Sequence, residues 1–124
     1  DINYDDLLKN HERSSSLGTV AISKRKVNID FGVVKIGDDS RVIGWDEKPI
    51  IDYFVSMGIY VFNKKILKHL PPKSFFNVPD LIMKGSIDIV GVNTFMHQGF
   101  WLDIGREEDY IEACEVYEKI FEKS

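Results

Sequence analysis

Asp103 sits inside Gly99-Phe100-Trp101-Leu102-Asp103-Ile104-Gly105, an aromatic-rich apolar run with a glycine at each end. An extended backbone sends alternate side chains to opposite faces. Such a run would point Trp101 and Asp103 one way, and Phe100, Leu102 and Ile104 the other. A carboxylate among apolar neighbours needs a cation or hydrogen-bond donors to offset its lost hydration. A metal ion is one such partner; a cap on the helix that follows, or plain access to water, is another. The second candidate is Glu47-Lys48-Pro49, where proline interrupts regular strand pairing and stiffens the exit. A fixed glutamate can accept hydrogen bonds from hydroxyls, and a fixed lysine can neutralise phosphate. An ordinary surface ion-pair segment would have the same composition. Gly32 and Gly58 each interrupt a strand-like stretch. Glycine there marks a bulge or a close backbone approach by a ligand.

Other chemistries find no support. His11, His69 and His97 have no partner at i+4 and no cysteine at zinc-like spacing. There is no Gly-x-Ser-x-Gly elbow and no phosphate loop. Cys114, the single cysteine, falls on a predicted helix stripe, a poor setting for a nucleophile. No internal disulfide is possible, which fits a cytoplasmic protein.

The elements that must position these residues follow from periodicity. Tyr4, Leu7, Leu8 and His11 share one face of a 3.6-residue period, predicting a helix over Ile2–Arg13 with Asn3 as N-cap. Gly18–Ser23 reads as a strand, with the basic cluster Lys24-Arg25-Lys26 in a solvated loop beside it. Phe31–Ile36 and Arg41–Trp45 form an antiparallel pair across the turn Gly37-Asp38-Asp39-Ser40. Met57–Phe62 is a further strand. Asn63–Leu70 is a short helix stopped by Pro71-Pro72, and Asn77–Lys84 is another, with Pro79 in its first turn. Asp88–Val92 and Phe100–Ile104 are predicted strands, with His97 in a turn between them. The last helix spans Arg106–Glu122 and buries Tyr110, Ala113, Cys114, Tyr117, Ile120 and Phe121. Hairpin and helical connections together predict an α/β domain with a mixed sheet and flanking helices.

At 124 residues the chain suffices for a single domain, 1–124, and 44% apolar with 29% charged residues is a globular composition. Sixteen basic against twenty acidic residues give a net charge of −4, which argues against broad nucleic-acid binding. No apolar run approaches a membrane span, and no signal peptide is visible.

Taken in order, five segments resemble the C-terminal half of the sugar-phosphate nucleotidyltransferases, or nucleotide-sugar pyrophosphorylases. They are Phe31-Gly32-Val33-Val34, Trp45-Asp46-Glu47-Lys48-Pro49, Met57-Gly58-Ile59-Tyr60-Val61-Phe62, Phe76-Asn77-Val78-Pro79-Asp80-Leu81-Ile82 and the Gly99–Gly105 run. Glu107-Glu108-Asp109-Tyr110 is similar to the start of the family's closing helix. The resemblance covers nearly the whole chain and implies a partial nucleotide-diphospho-sugar transferase fold. It implies an activity that joins a nucleoside triphosphate to a sugar 1-phosphate and releases pyrophosphate, with Mg²⁺ as cofactor. Glucose and mannose 1-phosphates are the first sugars to try. On the same resemblance Asp103 supplies a Mg²⁺ ligand and Lys48 pairs with the sugar phosphate. Glu47 accepts from sugar hydroxyls, the backbone at Gly32 approaches the sugar, and Trp101 walls its pocket. Ser56 stands where many relatives carry a sugar-contacting asparagine, and the segment between Lys84 and Asp88 looks short.

The family's glycine-rich nucleotide loop and its first Mg²⁺ aspartate belong upstream of these residues. Asp1 is not that aspartate, lying too close to Asn3 with no preceding strand. The chain is therefore expected to be an enzyme fragment, inactive alone, with uncovered sheet edges that favour homo-oligomers. The alternative is a non-catalytic sugar-nucleotide-binding or regulatory module of the same ancestry. A metal-dependent glycosyltransferase is a third reading, but its Asp-x-Asp motif is missing.

Overall fold

The computed structural model describes residues 2–70, 72, 75–87, 91–105 and 107–121. Helix α1 (Tyr4–Ser14) opens the chain, capped as predicted: the Asn3 side chain accepts from the amides of Asp5 and Asp6 at 3.0 and 3.2 Å. Of the expected apolar face, Leu7 is buried and His11 half-buried, whereas Tyr4 and Leu8 stay exposed. The His11 ring bonds the hydroxyl of buried Thr19 at 2.9 Å, fixing α1 to the first strand.

That strand, β1 (Gly18–Asn28), is central. It pairs antiparallel with β4 (Ile50–Phe62) and parallel with β5 (Val92–His97), giving the mixed sheet the sequence predicts. Leu7, Ala21 and Met57 form the core cluster, with Ile59, Val61, Phe95 and Trp101 packed around it. Strands β2 (Gly32–Ile36) and β3 (Val42–Glu47) form a separate antiparallel ribbon.

Both long strands exceed their predicted lengths. Lys24, Arg25 and Lys26 lie within β1 rather than in a loop, opposite Phe54, Tyr53 and Asp52 of β4. A Lys24–Asp52 ion pair of 2.7 Å braces this two-stranded arm. Pairing persists beyond β4 as well, where the carbonyl of Pro49 accepts from the amide of Ile29 at 3.1 Å. The proline lacks only a donor, so its acceptor side still completes the ladder.

After β4 comes a 3₁₀ helix, Lys64–His69, capped by Asn63, then α2 (Val78–Ile87), whose first turn is capped by Asn77. The segment after Lys84 is thus helical as far as Ile87. Most of the strand predicted at Asp88–Val92 falls outside the described residues; the strand observed here is Val92–His97, so His97 ends a strand rather than occupying a turn. Phe100–Ile104 is not a strand; the chain leaves the sheet after His97 and finds no ladder partner among the described residues.

The closing helix α3 (Glu107–Phe121) has nearly the predicted span. Its predicted burial fails at three positions, while Ala113 is half-buried. Tyr110 and Tyr117 are more than half exposed and Cys114 is exposed, so the cysteine does not pack as a core hydrophobe. A charged contact ties the helix to the sheet. Asp109, almost fully buried, accepts from the Arg25 guanidinium of β1 at 3.0 Å. Asp1, Pro71, residues 88–90, Arg106 and Glu122 lie outside the described residues, as do the side chains of Ile120 and Phe121. No described helix is long and apolar enough to cross a membrane.

Candidate functional site

The site grows from a break in the ladder between β1 and β4. Val20 pairs with Tyr60 and Ile22 with Ser56, so Ala21 alone faces Met57, Gly58 and Ile59. Such bulges bend a strand and re-aim its side chains. Gly58 supplies the left-handed turn this requires, at φ 73°. Its amide donates to Ser56 Oγ at 3.2 Å, and Ser56 Oγ lies 3.1 Å from the Tyr60 hydroxyl. Ser56 and Tyr60 therefore offer hydroxyls side by side at the bulge.

A cleft of 450 Å³ lies against this bulge, between Ser56, Met57, Gly58 and Tyr60 on one wall and Trp101, Leu102, Asp103 and Ile104 on the other. The second wall is an irregular segment. Alternation therefore does not apply: Leu102 and Ile104 line the same cleft as Trp101 and Asp103. Trp101 also packs on the core cluster, which ties the cleft to the folded centre of the molecule. Asp103 Oδ1 accepts from the amide of Gly105 at 3.1 Å, the local partner that an aspartate before a helix readily finds. Its Oδ2 has no protein partner among the described hydrogen bonds.

The other expected residues gather on the ribbon. Gly32 pairs with Glu47. A Cβ on Gly32 would stand 2.7 Å from Trp45 Cε2, so glycine here admits the indole across the ribbon. The same indole donates to Glu47 Oε2 at 2.9 Å. Glu47 is thus held by Trp45 rather than left free in solution. Lys48 follows in a left-handed conformation, φ 42°, in the turn from β3 to β4. That is a strained backbone for a lysine and fixes the direction in which its chain departs.

Ser56, Trp101 and Asp103 therefore share one cleft, while Gly32, Glu47 and Lys48 share one end of the ribbon, and β4 runs between the two groups. Tyr60 was not among the expected residues. The spacing Ser56, Gly58, Tyr60 would have revealed it, because i, i+2 and i+4 share a strand face.

Among the described residues no three His, Cys, Asp or Glu side chains converge as a metal site. Mg²⁺ does not require such a cage; it is commonly held by one or two carboxylates together with phosphate oxygens and water. One open carboxylate oxygen on Asp103 fits that mode.

Residues 1–120 match the Nucleotidyl transferase family. The chain belongs to that family. It is 27% identical to the mannose-1-phosphate guanylyltransferase catalytic subunit beta of Danio rerio and 26% identical to that of Dictyostelium discoideum, over 94% of the chain in each case. This nucleotidyl transferase chain spans about a third of the length of these curated relatives, 33% in both. Its fold is similar to half of HddC from Yersinia pseudotuberculosis, with a TM-score of 0.61, 21% identity, and coverage of 94% of this chain and 50% of that one. The structure of HddC complexed with GMP-PN aligns with a TM-score of 0.54 at the same coverage. The family and the mixed α/β fold expected from the five motifs are thereby established.

Proposed function

We propose that this chain is the sugar-phosphate-binding portion, 1–124, of an enzyme that transfers a nucleoside monophosphate from a nucleoside triphosphate to a sugar 1-phosphate, releasing pyrophosphate. The observation that carries this reading is the cleft in which Asp103 and Trp101 face the paired hydroxyls of Ser56 and Tyr60. Family membership supports the reaction class. The guanylyltransferase relatives make mannose 1-phosphate and a guanine nucleotide the first substrates to test.

In this mechanism the sugar phosphate oxygen attacks the α-phosphorus in line, so catalysis is positioning and charge neutralisation. Trp101 walls the sugar, and Ser56 and Tyr60 exchange hydrogen bonds with its hydroxyls. Glu47, oriented by Trp45, accepts from further hydroxyls, and Lys48 neutralises the sugar phosphate. The backbone at Gly32 offers close approach. Mg²⁺, held at Asp103 with phosphate oxygens, would spread the charge of the reacting phosphates. A cytoplasmic setting accords with the single cysteine. Self-association accords with the exposed apolar residues of the ribbon and α3.

Titration of the isotopically labelled chain with mannose 1-phosphate and Mg²⁺ tests the binding half of the proposal. Amide shifts should centre on Ser56, Gly58, Trp101 and Asp103 and be lost in Asp103→Asn; shifts confined to other surfaces would refute it. In an active enzyme carrying this chain, Lys48→Ala should cut turnover by about ten- to a hundred-fold, the loss of one charged hydrogen bond of roughly 1.5–3 kcal/mol. Unchanged turnover would remove Lys48 from the mechanism. Binding retained in an assembled protein that never turns over would instead mark a non-catalytic module.

A further inference from the structure

The segment that carries Trp101 and Asp103 has no strand partner among the described residues, so something else must hold it. At one end it is tethered to β5, where His97 Nε2 reaches the carbonyl of Phe100 at 3.4 Å. At the other end α3 begins, and among the described residues α3 contributes none to the core cluster or to the hydrophobics packed against it. Its large apolar residues Tyr110, Ile111 and Tyr117 are each more than half exposed. The start of α3 is tied to β1 by the pair of Arg25 with Asp109, whose side chains are 36% and 6% exposed. Arg25 also lines a 270 Å³ hollow together with Trp101, Leu102 and Glu112. The guanidinium therefore stands beside the segment and anchors the helix that follows it.

We propose that Arg25 and Asp109 are a positioning pair that clamps the Trp101–Asp103 segment against β1. The proposal rests on the functional reading only in treating Trp101 and Asp103 as site residues. The clamp itself is a statement about where the segment sits. A carboxylate nine-tenths removed from water tolerates loss of its cation poorly, so breaking the pair should free the helix start. The wall of the cleft would then move with it. Asp103 would lose its register against Ser56 and Tyr60 without any change in the residues that touch a ligand.

The test uses the 124-residue chain labelled with 5-fluorotryptophan. Trp45 and Trp101 give two fluorine resonances, assigned by Trp45→Phe. Arg25→Met and Asp109→Asn should each shift or broaden the Trp101 signal while Trp45, on the ribbon, stays in place. Arg25→Lys should restore the native Trp101 signal. Hydrogen exchange at the Gly105 amide, which donates to Asp103 Oδ1, should speed up about tenfold in both variants, with amides of β1 and β4 unchanged. The double variant should show less than the summed effect of the single ones, as members of one pair require. An unmoved Trp101 in both variants would overturn the proposal. So would equal loosening of β1 and β4, or loss of the fold in both, since the pair would then support the whole sheet rather than the segment. None of these readouts needs a substrate. Failure to bind sugar phosphate would sink the functional reading and leave the clamp standing.

Discussion

Helices α1 and α3 carry comparable sequence signals and meet different fates. Each has acidic residues near its start and an apolar stripe at helical spacing. On α1 the stripe delivers Leu7 into the core against Ala21 and Met57. On α3 the stripe's tyrosines and its cysteine face outward, and a buried aspartate makes the attachment. An apolar stripe states that a helix needs a cover. It does not state that the same stretch of chain provides one.

The sharpest way to break this contrast is truncation at the two stripes. Leu7→Ala should lower stability by about 2–5 kcal/mol, because the site is enclosed and the cavity cannot collapse fully. Urea unfolding followed by circular dichroism measures it. Asn3→Ala should cost about 1 kcal/mol through loss of the two capped amides at the start of α1, visible in the same transition. Ile111→Ser on α3 should fall within about 0.5 kcal/mol of the parent, as an exposed site does. A loss at Ile111 as large as that at Leu7 would abolish the distinction between the helices. The smallest effect concerns the arm that extends β1. The carboxyl of Asp52 is held below its ordinary value by the hydrogen bond from Lys24; partial desolvation opposes this, and the charges of Lys24 and Lys26 add to it. A lowered carboxylate pKa contributes stability that is complete above the ordinary carboxylate range. The contribution disappears as pH falls through the lowered value. Asp52→Asn should therefore remove a small part of the acid-side decline in stability, read as a slightly flatter curve of melting temperature below the carboxylate range.

Local signals were the legible ones. The cap at Asn3 and the period through Leu7 placed α1. The Gly37–Ser40 turn placed the ribbon, where the Gly37 amide donates to the Arg41 carbonyl at 2.9 Å. Extents were harder to read. The Lys24–Lys26 stretch of β1 lies in an arm wetted on much of its surface, so no hydrophobic alternation announces it. Phe100–Ile104 has strand-forming residues but finds no ladder partner among the described residues, and strand preference without a partner does not make a strand. At the site, the sequence singled out Asp103 and the glycine at 58, and the structure sets both at one cleft. The hold of Trp45 on Glu47 is a matter of two residues' rotamers. The bond between Arg25 and Asp109 joins positions too distant in the chain for any spacing rule to link.

The parallel union of β1 with β5 has a kinetic consequence. Gly18 must find Val92, and even after β4 has set Phe62 opposite Gly18, residues 63–91 still have to close as a loop. Entropy penalises long closures, and folding slows as contacts become more remote in sequence. Refolding should accordingly start with the β2–β3 hairpin and its flanking arm, and finish when the third strand of the sheet arrives.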